Sequence, residues 1–142
     1  MAPRQRRKYR LGRQHGESRR TKKHFSELLA RPAKNFPRKG EKLSSVPDKH
    51  GVYIIFDRIG RVLHVGRTYR GKAGLRQRLT NHLNGQSSFV RMFLKKNKQK
   101  LQKGYTFKYL QVGHARRRAL LEHYSTGMLS PAHLGLGKSL KP

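Results

Sequence analysis

Regular apolar spacing begins abruptly at Gly51, and that onset decides what the chain can fold into. From Met1 to Lys23 there is almost no apolar residue and no period. A stretch of this kind cannot bury enough surface to order itself and reads as disordered without a partner. One short helix is expected at His24–Ala30, where Phe25, Leu28 and Leu29 share a face. Pro32, Pro37 and Pro47 then break the chain into extended segments.

Beyond this point the pattern is dense. Gly51 to Asp57 is β-branched and aromatic and reads as a strand, and Arg61 to Gly66 as its return. Asp57 and Gly60 stand at the first and fourth positions of the turn between them. Leu75, Leu79 and Leu83 mark one stripe of a helix, and Ser87 or Ser88 can cap a second one through Phe89 to Leu94. Tyr105 to Val112 alternates as a third strand, and Ala115 to Leu129 is helical with Pro131 just past its end. The expected fold is α+β: a three-stranded antiparallel sheet flanked by helices, in the order β-β-α-α-β-α. The expected organisation is a basic arm or linker over 1–48 and a folded domain over 49–142.

Charge points to the partner. The 142 residues hold 35 Lys and Arg against 6 Asp and Glu, a net +29 with histidine neutral. A soluble small domain usually carries about 2 to 8, and self-repulsion on the larger scale favours a polyanion, with nucleic acid the expected one. The expected backbone contacts are Arg4, Arg6, Arg7, Lys8 and Arg10 in the arm, then Arg70, Lys72, Arg76, Lys95 and Lys96. An Arg-rich, acid-poor N-terminus also suits a transit peptide, but the nucleic-acid-binding arm is the favoured reading. No apolar run approaches the ~18–20 residues of a membrane span, and no signal-peptide segment is visible. A cytoplasmic location is expected, at the nucleoid if the source is bacterial. With no cysteine, thiol chemistry, disulfides and zinc–thiolate sites are excluded.

Carboxylates are scarce enough to be informative. From Gly51 onward only Asp57 and Glu122 remain, and Asp57 belongs to the turn. Glu122 either pairs with Arg118 one helical turn before it or ligates one hard cation. Arg78 and His82 share a helix face, as a phosphate clamp with a proton carrier or as a solvated basic surface. With a two-residue turn, Tyr53 and His64 stand directly opposite each other, whereas a glycine bulge at Gly60 separates them.

Gly51-Val52-Tyr53, His64-Val65-Gly66-Arg67, Arg78 with His82, and Glu122, in this order, resemble the GIY-YIG nuclease superfamily over roughly 51–134. The resemblance implies a metal-dependent endonuclease acting on nucleic acid, DNA ahead of RNA, with one Mg²⁺ or Mn²⁺ held by Glu122. It implies Tyr53 at the attacking nucleophile, as general base or relaying a proton through His64. It places Arg78 and Arg67 on the scissile phosphate, has His82 orienting or relaying protons, and puts Gly66 in the second tripeptide. The chain departs from the family where His64 replaces a tyrosine, where the Arg67–Arg78 segment is longer, and where His133 lies near an expected Asn. The alternative is a protein of the same fold that binds DNA or RNA without cutting.

Overall fold

The computed structural model describes residues 3–135, with side chains from residue 14 onward. Helix α1 spans Pro3–Ala30, β1 Lys34–Asn35, β2 Gly51–Phe56, β3 Val62–Arg67, α2 Leu75–Leu83, β4 Thr106–Gln111 and α3 Ala115–Leu129. A π-helical turn at Phe89–Phe93 and a 3₁₀ turn at Lys98–Gln102 lie between α2 and β4. The strands form one antiparallel sheet in the spatial order β1-β4-β2-β3.

The expected α+β class holds, with two corrections. Lys34–Asn35 pairs with Phe107 and Thr106 and adds a fourth strand, too short to show any period in the sequence. The helix expected only at His24–Ala30 runs from Pro3. Long straight-chain residues carry little helix penalty, and Pro3 opens the helix where its missing N–H costs nothing. It ends before Pro32, and Lys108 Nζ donates to the free Leu29 carbonyl at 2.6 Å. Leu28 is fully buried, Phe25 meets Tyr124 edge-on at 5.2 Å, and Glu17 pairs with Arg116 at 2.7 Å. Burying Leu28 alone contributes about 2 kcal/mol to this docking. The side chains of Arg4, Arg6, Arg7, Lys8 and Arg10 lie outside the described residues.

Both faces of the sheet are covered. Val52, Ile54 and Val65 pack with Leu28 of α1 and Leu121 of α3. Tyr53, Ile55, Phe107 and Tyr109 face Leu75 and Leu79 of α2 with Phe89 and Phe93. Phe36, Leu43 and Val46 from the proline-broken segment join this second layer. The same segment caps α2: Asp48 Oδ1 accepts from Gly74 N–H at 2.9 Å and Gln77 N–H at 3.2 Å. The second expected helix is the π turn, in which Leu94 N–H reaches back five residues to Phe89.

Candidate active site

β3 is an outer strand of the sheet. Ala132 and His133 cover its free side, donating backbone N–H groups to the Val62 and Leu63 carbonyls at 3.2 and 2.9 Å. This brings His133, buried, beside His64 with ring centres 5.4 Å apart.

The hairpin register differs from the two-residue-turn expectation. Gly60, at φ +86, donates to Asp57, and Asp57 N–H donates to Arg61, so the turn holds one extra residue. A second shift falls between Ile55 and Phe56, leaving Ile55 opposite His64 and Tyr53 opposite Gly66. One shift turns every side chain to the other face, and a second restores it. Tyr53 and His64 are therefore diagonal neighbours on one face, with ring centres 5.9 Å apart. Gly66 is required here: a Cβ on it would lie 2.3 Å from the Tyr53 hydroxyl oxygen.

Tyr53 is fully buried, and its hydroxyl meets His82 Nε2 at 2.6 Å. His82 Nδ1 meets Ser87 Oγ at 2.6 Å, and that oxygen accepts from Val90 N–H at 3.2 Å. Burial pushes the Tyr53 phenol up, against the pull of the Arg78 charge and a hydrogen bond from Arg78. Burial, reinforced by Arg78 and His133, pushes the His82 imidazole down to about 3, so it is neutral at physiological pH. His64 is also pushed well below 6.5, first by burial and then by His82, His133 and Arg78. Its two ring nitrogens are shielded from water and have no hydrogen-bond partner, and its ring stacks on Phe89 at 5.0 Å.

A charged layer adjoins these rings at the end of β3. Arg67 Nε lies 3.9 Å from Glu122 Oε1, and His123 lies 4.0 Å from the same oxygen. Burial pushes the Glu122 carboxyl up, while Arg67, His123 and Arg78 pull it back. The Arg67 and Arg78 guanidinium carbons sit 5.1 and 5.7 Å from the centre of the Tyr69 ring. Arg67 Nη1 and Arg78 Nε are both shielded from water without an acceptor. Arg118 is not the partner of Glu122. Its guanidinium is spent on the carbonyls of Thr68, Val112 and Gly113, each at 3.0 Å, tying the start of α3 to the end of β3.

The structure thus gathers buried Tyr53, Gly66, His82 and His133 with half-buried His64 into one cluster and sets Arg67, Arg78 and Glu122 beside it. Arg70 and Lys72 are exposed on the following loop. His50 pins that loop: its Nε2–H donates to Gly71 at 3.0 Å, and its Nδ1 accepts from Thr68 Oγ1 at 2.8 Å. Arg76 points away from the cluster, with Nε on the Val46 carbonyl at 2.8 Å. Lys95 and Lys96 are exposed past the π turn, both with left-handed backbone.

Sequence reasoning missed Tyr69 and Ser87 as site residues. Tyr69 was signalled by an aromatic set between Arg67 and Arg70, and Ser87 by standing five residues after His82. Among the described residues no three His, Cys, Asp or Glu side chains are grouped to hold a metal, and no helix is long and apolar enough to cross a membrane. No protein-family model matches the chain, and no curated protein matches it.

Proposed function

We propose that this chain is a GIY-YIG-type, metal-dependent endonuclease that hydrolyses phosphodiester bonds in nucleic acid, with DNA ahead of RNA as substrate. The observation that carries the reading is the convergence of the Arg67 and Arg78 guanidinium groups on Tyr69, beside Glu122 and the Tyr53–His82 pair. Two like charges on one patch repel each other, and a phosphate is the anion that a guanidinium fits best.

Glu122 suits a divalent ion. Its carboxylate is mostly screened from water, and burial already disfavours its charge, which an adjacent cation would restore. Mg²⁺ takes one or two carboxylates and fills its remaining positions with substrate phosphate and water. One carboxylate therefore suffices if the ion arrives with the nucleic acid. When bound, the ion supplies positive charge beside the departing oxygen.

The other residues have separable tasks. Arg78 and Arg67 bind the non-bridging oxygens and fix the phosphate. Tyr53 takes a proton from the attacking water as its phenolate, a form that the Arg78 charge favours against burial, while neutral His82 orients the ring at 2.6 Å. Ser87 holds the His82 ring, and Phe89 packs edge-on against it at 5.8 Å.

The full burial of Tyr53 favours the second reading, a clamp that binds without cutting. Plasmid nicking with Mg²⁺ or Mn²⁺, beside an EDTA control and Glu122→Gln, separates the two. Metal-dependent nicking that disappears in the variant is expected, with binding equal or tighter once a phosphate-repelling charge is gone. Nicking at the wild-type rate by Glu122→Gln refutes the metal assignment. Binding without nicking in the wild type leaves the clamp.

A further inference from the structure

Helix α2 offers three distinct faces. Leu75, Leu79 and His82 are buried against the sheet. The opposite face carries Gln77 and Asn81, whose amides are joined by a 2.8 Å hydrogen bond, with Asn84 just beyond. At 3.6 residues per turn, Arg76 and Arg78 fall about 100° to either side of Gln77.

Each flank opens onto a cationic wall. On the Arg76 side a cavity of about 580 Å³ is lined by Arg38, Lys39, Lys42 and Lys98, with Glu41 its one acid. Arg38, Lys39, Lys42 and Lys98 are all exposed. On the Arg78 side lie Arg67 and Tyr69, with Arg70 and Lys72 on the adjoining loop. An amide strip is thus framed by two positive walls, separated by a helix about 10–12 Å across.

A helix with an amide face between two positive flanks suits one nucleic-acid form. The major groove of B-form DNA is about 12 Å wide, admits a helix and has a phosphate backbone on each side, and Asn and Gln amides match the adenine edge in it. The major groove of A-form RNA is deep, narrow and closed to side chains. We infer that α2 enters the major groove of a B-form DNA duplex, with one backbone in the Arg38–Lys98 cavity and the other, carrying the scissile bond, at Arg78. The inference rests on the nucleic-acid reading above and assigns it a duplex form, a groove and a second-strand site.

The test measures salt-dependent fluorescence anisotropy of the full chain on a short DNA duplex and on the RNA duplex of the same sequence. Dimethyl sulfate interference on the DNA accompanies it. The DNA duplex is expected to bind at least tenfold tighter than the RNA duplex at equal salt. Guanines methylated at N7, in the major groove, are expected to be excluded from the bound fraction. Arg38→Glu with Lys98→Glu removes two phosphate contacts, so the slope of log affinity against log salt should fall by about 2. Circular dichroism unchanged from wild type confirms that this exposed double variant is folded. Equal affinity for the RNA duplex, interference confined to adenine N3, or an unchanged slope in the double variant overturns the α2 assignment and leaves nucleic-acid binding standing. Failure of the wild-type chain to bind any of these nucleic acids overturns both.

Discussion

Acidification should destabilise this fold steeply, and His82 sets the minimum size of the effect. Its imidazole has no exposed area and is held at about 3, against 6.5 for a free histidine. Above pH 6.5 both folded and unfolded chains are neutral at this position and it has no influence. Below pH 6.5 the unfolded chain takes up a proton that the folded chain refuses, so stability is lost as pH falls, down to about pH 3. The slope for one proton is about 1.4 kcal/mol per pH unit, so moving from pH 7.5 to 5.0 costs about 2 kcal/mol from His82 alone. His64 is lowered further and His133 is lowered too, so both add to the loss. Glu122, raised from 4.5, acts in the opposite sense and offsets part of it only toward the acid end. Against a total stability of about 5–15 kcal/mol, a loss of this size is a substantial fraction. Urea titrations at constant ionic strength across pH 5.0–7.5 measure it directly, and His82→Gln should remove one proton from the slope. A stability flat across that range would refute the burial argument. An equal fall in His82→Gln and wild type would place the proton elsewhere.

Gly66→Ala should cost about 1–3 kcal/mol by overpacking against the Tyr53 hydroxyl, and should lower nicking more than binding. Gly113→Ala, which meets nothing within 4 Å, is the matched control in the same thermal melts. Arg118→Met should destabilise by about 3 kcal/mol or more, because three carbonyls now paired at 3.0 Å lose their donor. Chemical denaturation that leaves Arg118→Met at wild-type stability would show that water replaces the guanidinium at no cost. Arg78→Ala should lower nicking by orders of magnitude and change the salt slope of binding by at most about 1. Deleting residues 1–13 removes Arg4, Arg6, Arg7, Lys8, Arg10 and Arg13. Affinity should fall on every sequence and the salt slope flatten by up to about 5, and an affinity equal to that of the full chain would remove the arm from the binding surface.

Local pattern was legible wherever a period or a turn residue reported it. The leucines at 75, 79 and 83 announced α2, the alternation at 105–112 announced β4, and Ala115–Leu129 matched α3 at both ends. The candidate residues Tyr53, Arg78, His82 and Glu122 were legible as chemical types at telling places. Their partners were not. Asp48 reaches the α2 N-terminus across 26 residues, and Arg118 turns to the Thr68, Val112 and Gly113 carbonyls rather than to the glutamate one turn away. Neither contact leaves a mark in local spacing. The long helix α1 was hidden for a related reason, since polar residues show no apolar period over most of its length while Leu28 docks against another element.

What the sequence by itself determined is the charge, the α+β order of elements and a short list of residues able to hold a phosphate, a cation or a proton. These depend on composition and on spacing along the chain, which the backbone geometry of helix and strand converts directly into faces. Only the tertiary structure decided that two register shifts return Tyr53 and His64 to one face. Only it made His82 a buried neutral partner of Tyr53 rather than a surface histidine. It also left two guanidinium nitrogens beside Glu122 without an acceptor. The physical reason is that desolvation and cross-strand register are properties of what packs against a residue, and that neighbour comes from a distant part of the chain.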